Sequence, residues 1–271
     1  MKRVYTVLAL ALTLASGMAL AQPNGPLEQG VRAAQAGDYQ AARTLWLPLA
    51  QQGNSDAQNN LGVLYERGWG VARDNAKAAE YYQQAATHGN AAAQNNLGVA
   101  YEKGLGVARD TVRAAQWYER AAQGGDLNAQ NNLGVLYERG DGVPRDLSAA
   151  LRWYRAAADK NHAQAQNNLG VMYERGTGVP ADLSLALVWY RKAAEQNNPA
   201  AQNNLGVLYG TGRGVKEDIV LANFWFTLAA RGGSVNGATN RDSTMRKLSE
   251  AQRQDVSQRI AQWQARPAGK P

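Results

Sequence analysis

Apolar positions along the chain recur in short helical stripes broken by paired glycines. Ala57, Leu61, Leu64 and Tyr65 fall at i, i+4, i+7 and i+8, which is one face of an α-helix. Gly68-Trp69-Gly70 then stops that helix, since two glycines so close together break a helix and permit positive φ. Asp74 stands where an N-cap belongs. Ala78, Tyr81, Tyr82, Ala85 and Ala86 form a second helical stripe after it. Gly89 closes the second helix in the C′ position, where left-handed geometry is favoured. The pattern predicts two helices joined by a Gly-x-Gly-Val turn, with Val71 plugging the end of the pair.

This unit repeats. Ala-Gln-Asn-Asn-Leu-Gly-Val begins at Ala57, Ala93, Ala129, Ala165 and Ala201, always 36 residues apart. Asp74 has counterparts at Asp110, Asp146, Asp182 and Asp218, and the closing Gly89 at Gly53, Gly125, Asn161 and Asn197. Asn is the usual substitute for Gly in a left-handed C′ residue. Residues 27–53 carry a shortened unit in which Asp38, Ala42, Trp46, Ala50 and Gly53 match the second half, without the Gly-x-Gly-Val turn. Five full repeats occupy 54–237. Over 238–266 a capping helix is expected, with 242–265 as one amphipathic stretch using Met245, Leu248, Val256, Ile260 and Trp263, and 267–271 as a loose tail. A constant period of this kind means a solenoid with atypical ends. The expected fold is all-α, a right-handed α-α superhelical solenoid.

Composition adds location. Lys2 and Arg3 precede an apolar run from Val4 to Leu14, and small residues lead to Ala19-Leu20-Ala21, the layout of a secretory signal peptide over residues 1–21. A membrane anchor is the competing reading, but the run is short and broken by Ser16 and Gly17. No later segment approaches spanning length. Loss of Lys2 and Arg3 takes the formal charge from +7 to +5. For an exported chain the basic balance reads first as solubility, and the acidic neighbours it could meet are anionic lipid headgroups, cell-wall polymers or acidic proteins rather than nucleic acid. The periplasm of a Gram-negative bacterium is the expected compartment, with secretion from the cell as the other. Cysteine is absent, which rules out disulfides, thiol catalysis and Cys-based metal sites.

Ala93, Leu97, Gly98, Tyr101, Gly104, Gly106, Val107, Asp110, Ala114, Trp117, Tyr118, Ala121 and Ala122 resemble the pattern of the Sel1-like repeat family, a branch of the tetratricopeptide-type helical solenoids. The resemblance covers about 30–235. It implies an adaptor that holds partner proteins, cell-envelope components or secretion and signalling factors. A cysteine-rich exported subgroup is associated with β-lactam binding and hydrolysis, and the lack of cysteine here departs from its hallmark.

No catalytic residue, cofactor or metal is expected. His88 and His162 occupy different registers of the repeat, and no H-E-x-x-H, G-x-S-x-G, P-loop or EF-hand pattern occurs. The Glu-cation pairs Glu66-Arg67, Glu102-Lys103, Glu138-Arg139 and Glu174-Arg175 read as a solvated charged edge or a docking edge. Trp117-Tyr118, Trp153-Tyr154 and Trp189-Tyr190 read as core and inter-repeat packing rather than sugar platforms. One stripe goes further: Asn59, Asn60, Val63 and Arg67 lie off the apolar face, with copies at Asn95, Asn96, Val99, Lys103, at Asn131, Asn132, Val135, Arg139, at Asn167, Asn168, Val171, Arg175, and at Asn203, Asn204. Asn is not a helix-propensity choice. In tetratricopeptide-type folds this stripe faces the concave groove. Two readings stay open: an amide ladder that binds an extended peptide, and asparagines that bond between neighbouring repeats to set the stacking. The expected function is a non-catalytic interaction scaffold of the envelope with a protein or peptide partner. The alternative is a peptidoglycan- or β-lactam-binding or hydrolysing protein.

Overall fold

The computed structural model describes residues 25–263. The signal-peptide reading and the 267–271 tail lie outside the described residues. Among those residues the chain forms fourteen helices and no strand. In order they are α1 (Pro26–Gln35), α2 (Tyr39–Gln51), α3 (Ser55–Arg67), α4 (Asn75–Thr87), α5 (Ala91–Lys103), α6 (Thr111–Gln123), α7 (Leu127–Arg139), α8 (Leu147–Ala158), α9 (Ala163–Arg175), α10 (Leu183–Glu195), α11 (Pro199–Thr211), α12 (Ile219–Arg231), α13 (Val235–Met245) and α14 (Glu250–Gln262). Contacts divide the described residues into two compact units, 25–129 with 141–143 and 130–140 with 144–263. No described helix is long and apolar enough to cross a membrane.

Local chemistry places the helix ends. The side chains of Asp38, Asp74, Asp110, Asp146, Asp182 and Asp218 each accept from a backbone N–H in the first turn of the second helix of a pair. Asn54, Asn90 and Asn198 cap the first helices in the same way. His162 does this through Nδ1 at 3.2 Å from the Ala165 N–H, and burial holds its pKa below the usual histidine value. Asn161 and Asn197 adopt φ of 65° and 62°, as the exchange of Gly for Asn in the left-handed C′ position requires.

The Gly-x-Gly turn has a separate reason for each glycine. Gly104 ends α5 with φ of 70°. Gly106 carries φ of 74°, and any Cβ there would overlap the Asn75 carbonyl at the start of α4. The second glycine is therefore an inter-repeat contact. Beyond the turn, the Asp110 N–H returns to the Tyr101 carbonyl at 2.9 Å, and Asp74, Asp146, Asp182 and Asp218 close their own turns on Tyr65, Tyr137, Tyr173 and Tyr209.

In the first unit, α1 to α6 pack as successive pairs. Trp46, Ala42, Ala57, Leu61 and Leu64 make one buried cluster, and Tyr82, Ala85, Ala93 and Leu97 the next, with Val71 packed against both. In the second unit, Tyr190, Leu205, Leu208, Phe224 and Trp225 continue into Leu248, Val256 and Ile260. The chain end differs from expectation. In place of one capping helix over 242–265 there are two helices, because Arg246 to Ser249 form a turn and Ser249 opens α14 with a reciprocal capping box to Gln252. The amphipathic reading had joined Met245 and Leu248 to α14, and a break of only a few residues leaves the apolar spacing nearly intact.

Within each pair, the second helix approaches through one ring. The Tyr118 ring lies against Gly98, where a built Cβ would stand 2.6 Å from ring carbons. Gly62–Tyr82, Gly134–Tyr154, Gly170–Tyr190 and Gly206–Phe226 repeat the arrangement. Overpacking a close contact of this kind costs about 1–3 kcal/mol. Gly98→Ala is therefore expected to lower the urea midpoint of unfolding clearly, while Gln116→Ala, on the exposed side of α6, leaves it nearly unchanged.

Candidate functional site on the first-helix face

The stripe singled out in the sequence divides by burial. The first asparagine of each pair is inside, with Asn59 1% exposed and Asn167 5% exposed. Asn95 and Asn131 are also buried, and Asn203 is half-buried. Asn96, Asn132, Asn168 and Asn204 are half-exposed, as are Val63, Val99, Val135 and Val171. Arg67, Lys103, Arg139 and Arg175 are exposed in the last helical turn.

The amides bond between repeats. Asn96 Nδ2 donates to Asn59 Oδ1 at 3.0 Å in the first unit. In the second unit Asn168 Nδ2 donates to Asn131 Oδ1 at 2.9 Å, and Asn204 Nδ2 to Asn167 Oδ1 at 3.2 Å. The second asparagine of one repeat thus reaches back to the first asparagine of the repeat before it. Asn240 Nδ2 donates to Asn203 Oδ1 at 3.0 Å, so the ladder runs on into α13. By sequence, Asn240 falls in the 238–266 capping segment and not in the ladder. Its signal was its place 36 residues after Asn204.

At the other end the ladder lacks a partner. Asn60 is fully buried and neither its Oδ1 nor its Nδ2 is bonded. The preceding helix α1, Pro26–Gln35, contains no asparagine.

The paired charges are not simply a solvated edge. Glu66, Glu102, Glu138 and Glu174 accept from the buried hydroxyls of Tyr82, Tyr118, Tyr154 and Tyr190 at 2.6–2.7 Å. Burial foremost, together with the neighbouring carboxylate, pushes these phenols well above the usual tyrosine range. The sequence held a signal here too. The partners are 16 residues apart in four copies, and the fifth loses both at once, with Gly210 and Phe226 in their places. Trp189 and Trp225 are buried, while half-buried Trp117 lies under the Arg120 guanidinium at 4.6 Å. These aromatics serve packing.

Most amide capacity on this face is therefore spent on neighbouring repeats. The first four repeats still present a half-exposed valine and an exposed cation one turn on, beside the second asparagine. His88 is exposed, with Nδ1 at 2.9 Å from the Gln84 carbonyl. No group of three or more His, Cys, Asp or Glu among the described residues could hold a metal ion.

Comparison with protein families matches the Sel1 repeat to residues 55–90, 91–126, 127–162, 163–198 and 199–234. The chain belongs to the Sel1 repeat family. Among solved structures it is similar to a Sel1 repeat protein from Oxalobacter formigenes, at 34% identity and a TM-score of 0.67, covering 77% of this chain and 86% of that one. It is also similar to a protective antigen present in uropathogenic Escherichia coli strains and displaying an SLR fold, at 38% identity and a TM-score of 0.80 over 88% of this chain. The chain spans about half of that relative, 52%. An immunity protein from Pseudomonas aeruginosa shares the fold at 22% identity and a TM-score of 0.54, over 78% of this chain and 83% of that one. Among curated proteins no match was found. The all-α solenoid of the Sel1 repeat is thus the fold of this chain, with the α1–α2 pair and the helices α13 and α14 outside the five matched repeats.

A buried amide left unpaired costs about 1–3 kcal/mol. Asn60→Leu is expected to raise the unfolding midpoint, whereas Asn96→Leu lowers it by stranding Asn59 Oδ1. Paired urea titrations of the two variants read this directly.

Proposed function

We propose that this Sel1 repeat chain is a non-catalytic scaffold that holds a polypeptide partner along the first-helix face. The observation that carries the reading is the repeated half-exposed valine with its exposed cation: Val63 with Arg67, Val99 with Lys103, Val135 with Arg139 and Val171 with Arg175. Apolar methyls at a constant spacing suit the side chains of a partner, and the cations suit its carboxylates. The half-exposed asparagines border this row, while the buried ones keep the repeats in register beneath it. The layout of residues 1–21 supports export to the cell envelope, where the periplasm is the proposed site of action.

A photo-crosslinking amino acid placed at Val99 or at Val171 in cells making the full chain tests this. Val112 is the control, since it lies on a second helix and is 54% exposed. Discrete polypeptide adducts are expected at Val99 and Val171 and not at Val112, in a periplasmic fraction. Adducts that favour Val112, or none at either first-helix position, would contradict the proposal.

A further inference from the structure

A crevice in the first unit lies on the other helices of the repeat. It has a volume of about 360 Å³ and is lined by Ala50, Gln51 and Gly53 at the end of α2, Gln58 of α3, and Lys77, Glu80, Tyr81 and Gln84 of α4. That volume is at the lower end of the roughly 300–1,000 Å³ of small-ligand sites. Gln58 is 4% exposed. Its Nε2 donates to the Ala50 carbonyl at 3.0 Å, and its Oε1 has no partner.

Elsewhere the chain fills the same place with its own N–H donors. In the fourth repeat Gln166 occupies the position of Gln58, and Asn161 that of Gly53. Gln196 Nε2 donates to Gln166 Oε1 at 2.7 Å and to Asn161 Oδ1 at 3.0 Å. In the fifth repeat the position of Gly53 is taken by Asn197, that of Glu80 by Phe224 and that of Tyr81 by Trp225. Here the donor is an indole. Trp263, just beyond α14, packs edge-on against Phe224 and Trp225, with centroids 5.6 and 5.2 Å away. Its Nε1 donates to Asn197 Oδ1 at 3.2 Å. In the second repeat Arg120 covers the equivalent aromatic, Trp117. The crevice above Gln58 combines an open volume, the half-buried ring of Tyr81 and a buried acceptor that makes no hydrogen bond.

We propose that this crevice receives a tryptophan side chain of a partner polypeptide, its indole on Tyr81 and Ala50 and its N–H on Gln58 Oε1. The occupant is inferred from Trp263, which shows that an indole fits the register when it finds an aromatic floor and an amide oxygen. Gly53 leaves the room that Asn197 uses in the fifth repeat. Lys77 and Glu80, both in the lining, suit the amide groups and charges of the residues that flank the tryptophan. The inference is independent of the first-helix face.

The test is a titration of the full chain, labelled with ¹⁵N-glutamine, with the capped peptide acetyl-Ala-Trp-Ala-amide. The Gln58 side-chain amide should show a saturable shift. The peptide with Leu in place of Trp should give no saturation. In Gln84→Arg, which installs the residue that the second repeat carries, affinity should fall about tenfold or more, a difference of about 1.4 kcal/mol. No saturable shift with the Trp peptide would overturn the proposal, as would equal shifts with the Leu peptide or in Gln84→Arg. Tighter binding of free tryptophan than of the peptide would overturn a polypeptide as the source. Saturation by a muropeptide with none by the Trp peptide would overturn the indole chemistry.

Discussion

Each repeat of a solenoid touches only its neighbours, so the junction between successive first helices has to carry order from one repeat to the next. In this chain the junction is built around a part-buried amide-to-amide hydrogen bond. Asn59 with Asn96 in the first unit, and Asn131 with Asn168, Asn167 with Asn204 and Asn203 with Asn240 in the second, all make it with the same polarity. Apolar packing alone tolerates sliding, because one small residue resembles the next and half the core is alanine. An amide pair does not tolerate it, since a shift strands a buried donor or acceptor. The second glycine of each turn adds a steric stop, as Gly106 shows against the Asn75 carbonyl.

This constraint redistributes function. Side chains that look like a binding ladder in sequence are largely committed to holding the repeats together. What remains outward on the same helices is a row of valines and cations, a broader and less selective surface than a row of free amides. The glutamates beside those cations are likewise committed, to tyrosine hydroxyls that cross from the second helix. Under the proposed function, recognition by such a face would rest on spacing, with the partner offering apolar groups at the interval of the repeats.

Much of the fold was legible. The six aspartate caps, the Gly-or-Asn helix ends and the turn glycines follow from local backbone chemistry, which acts over a few residues and leaves its mark in sequence. The site was less so. Whether Asn96 faces a ligand or Asn59 depends on how far apart neighbouring first helices lie, and periodicity carries no distance. The Glu–Tyr bond was written in the joint loss of both partners in the fifth repeat. It went unread because the carboxylates were judged beside their adjacent cations, not against the helix across the turn. The split of the last segment into α13 and α14 was hidden by apolar spacing that continues through the turn. The unbonded acceptor of Gln58 could not be seen at all, since it depends on whether a donor reaches it across the helices, as Gln196 reaches Gln166 Oε1 in the fourth repeat.

The most direct measurement is a double-mutant cycle on Asn131 and Asn168, with each changed to Ala singly and together and stability read from urea unfolding. The inter-repeat bond predicts a coupling of about 1 kcal/mol between the two positions, the single variants together costing more than the double. Additive effects, with no coupling, would show that the asparagines do not act on one another and would return the amide ladder to the partner.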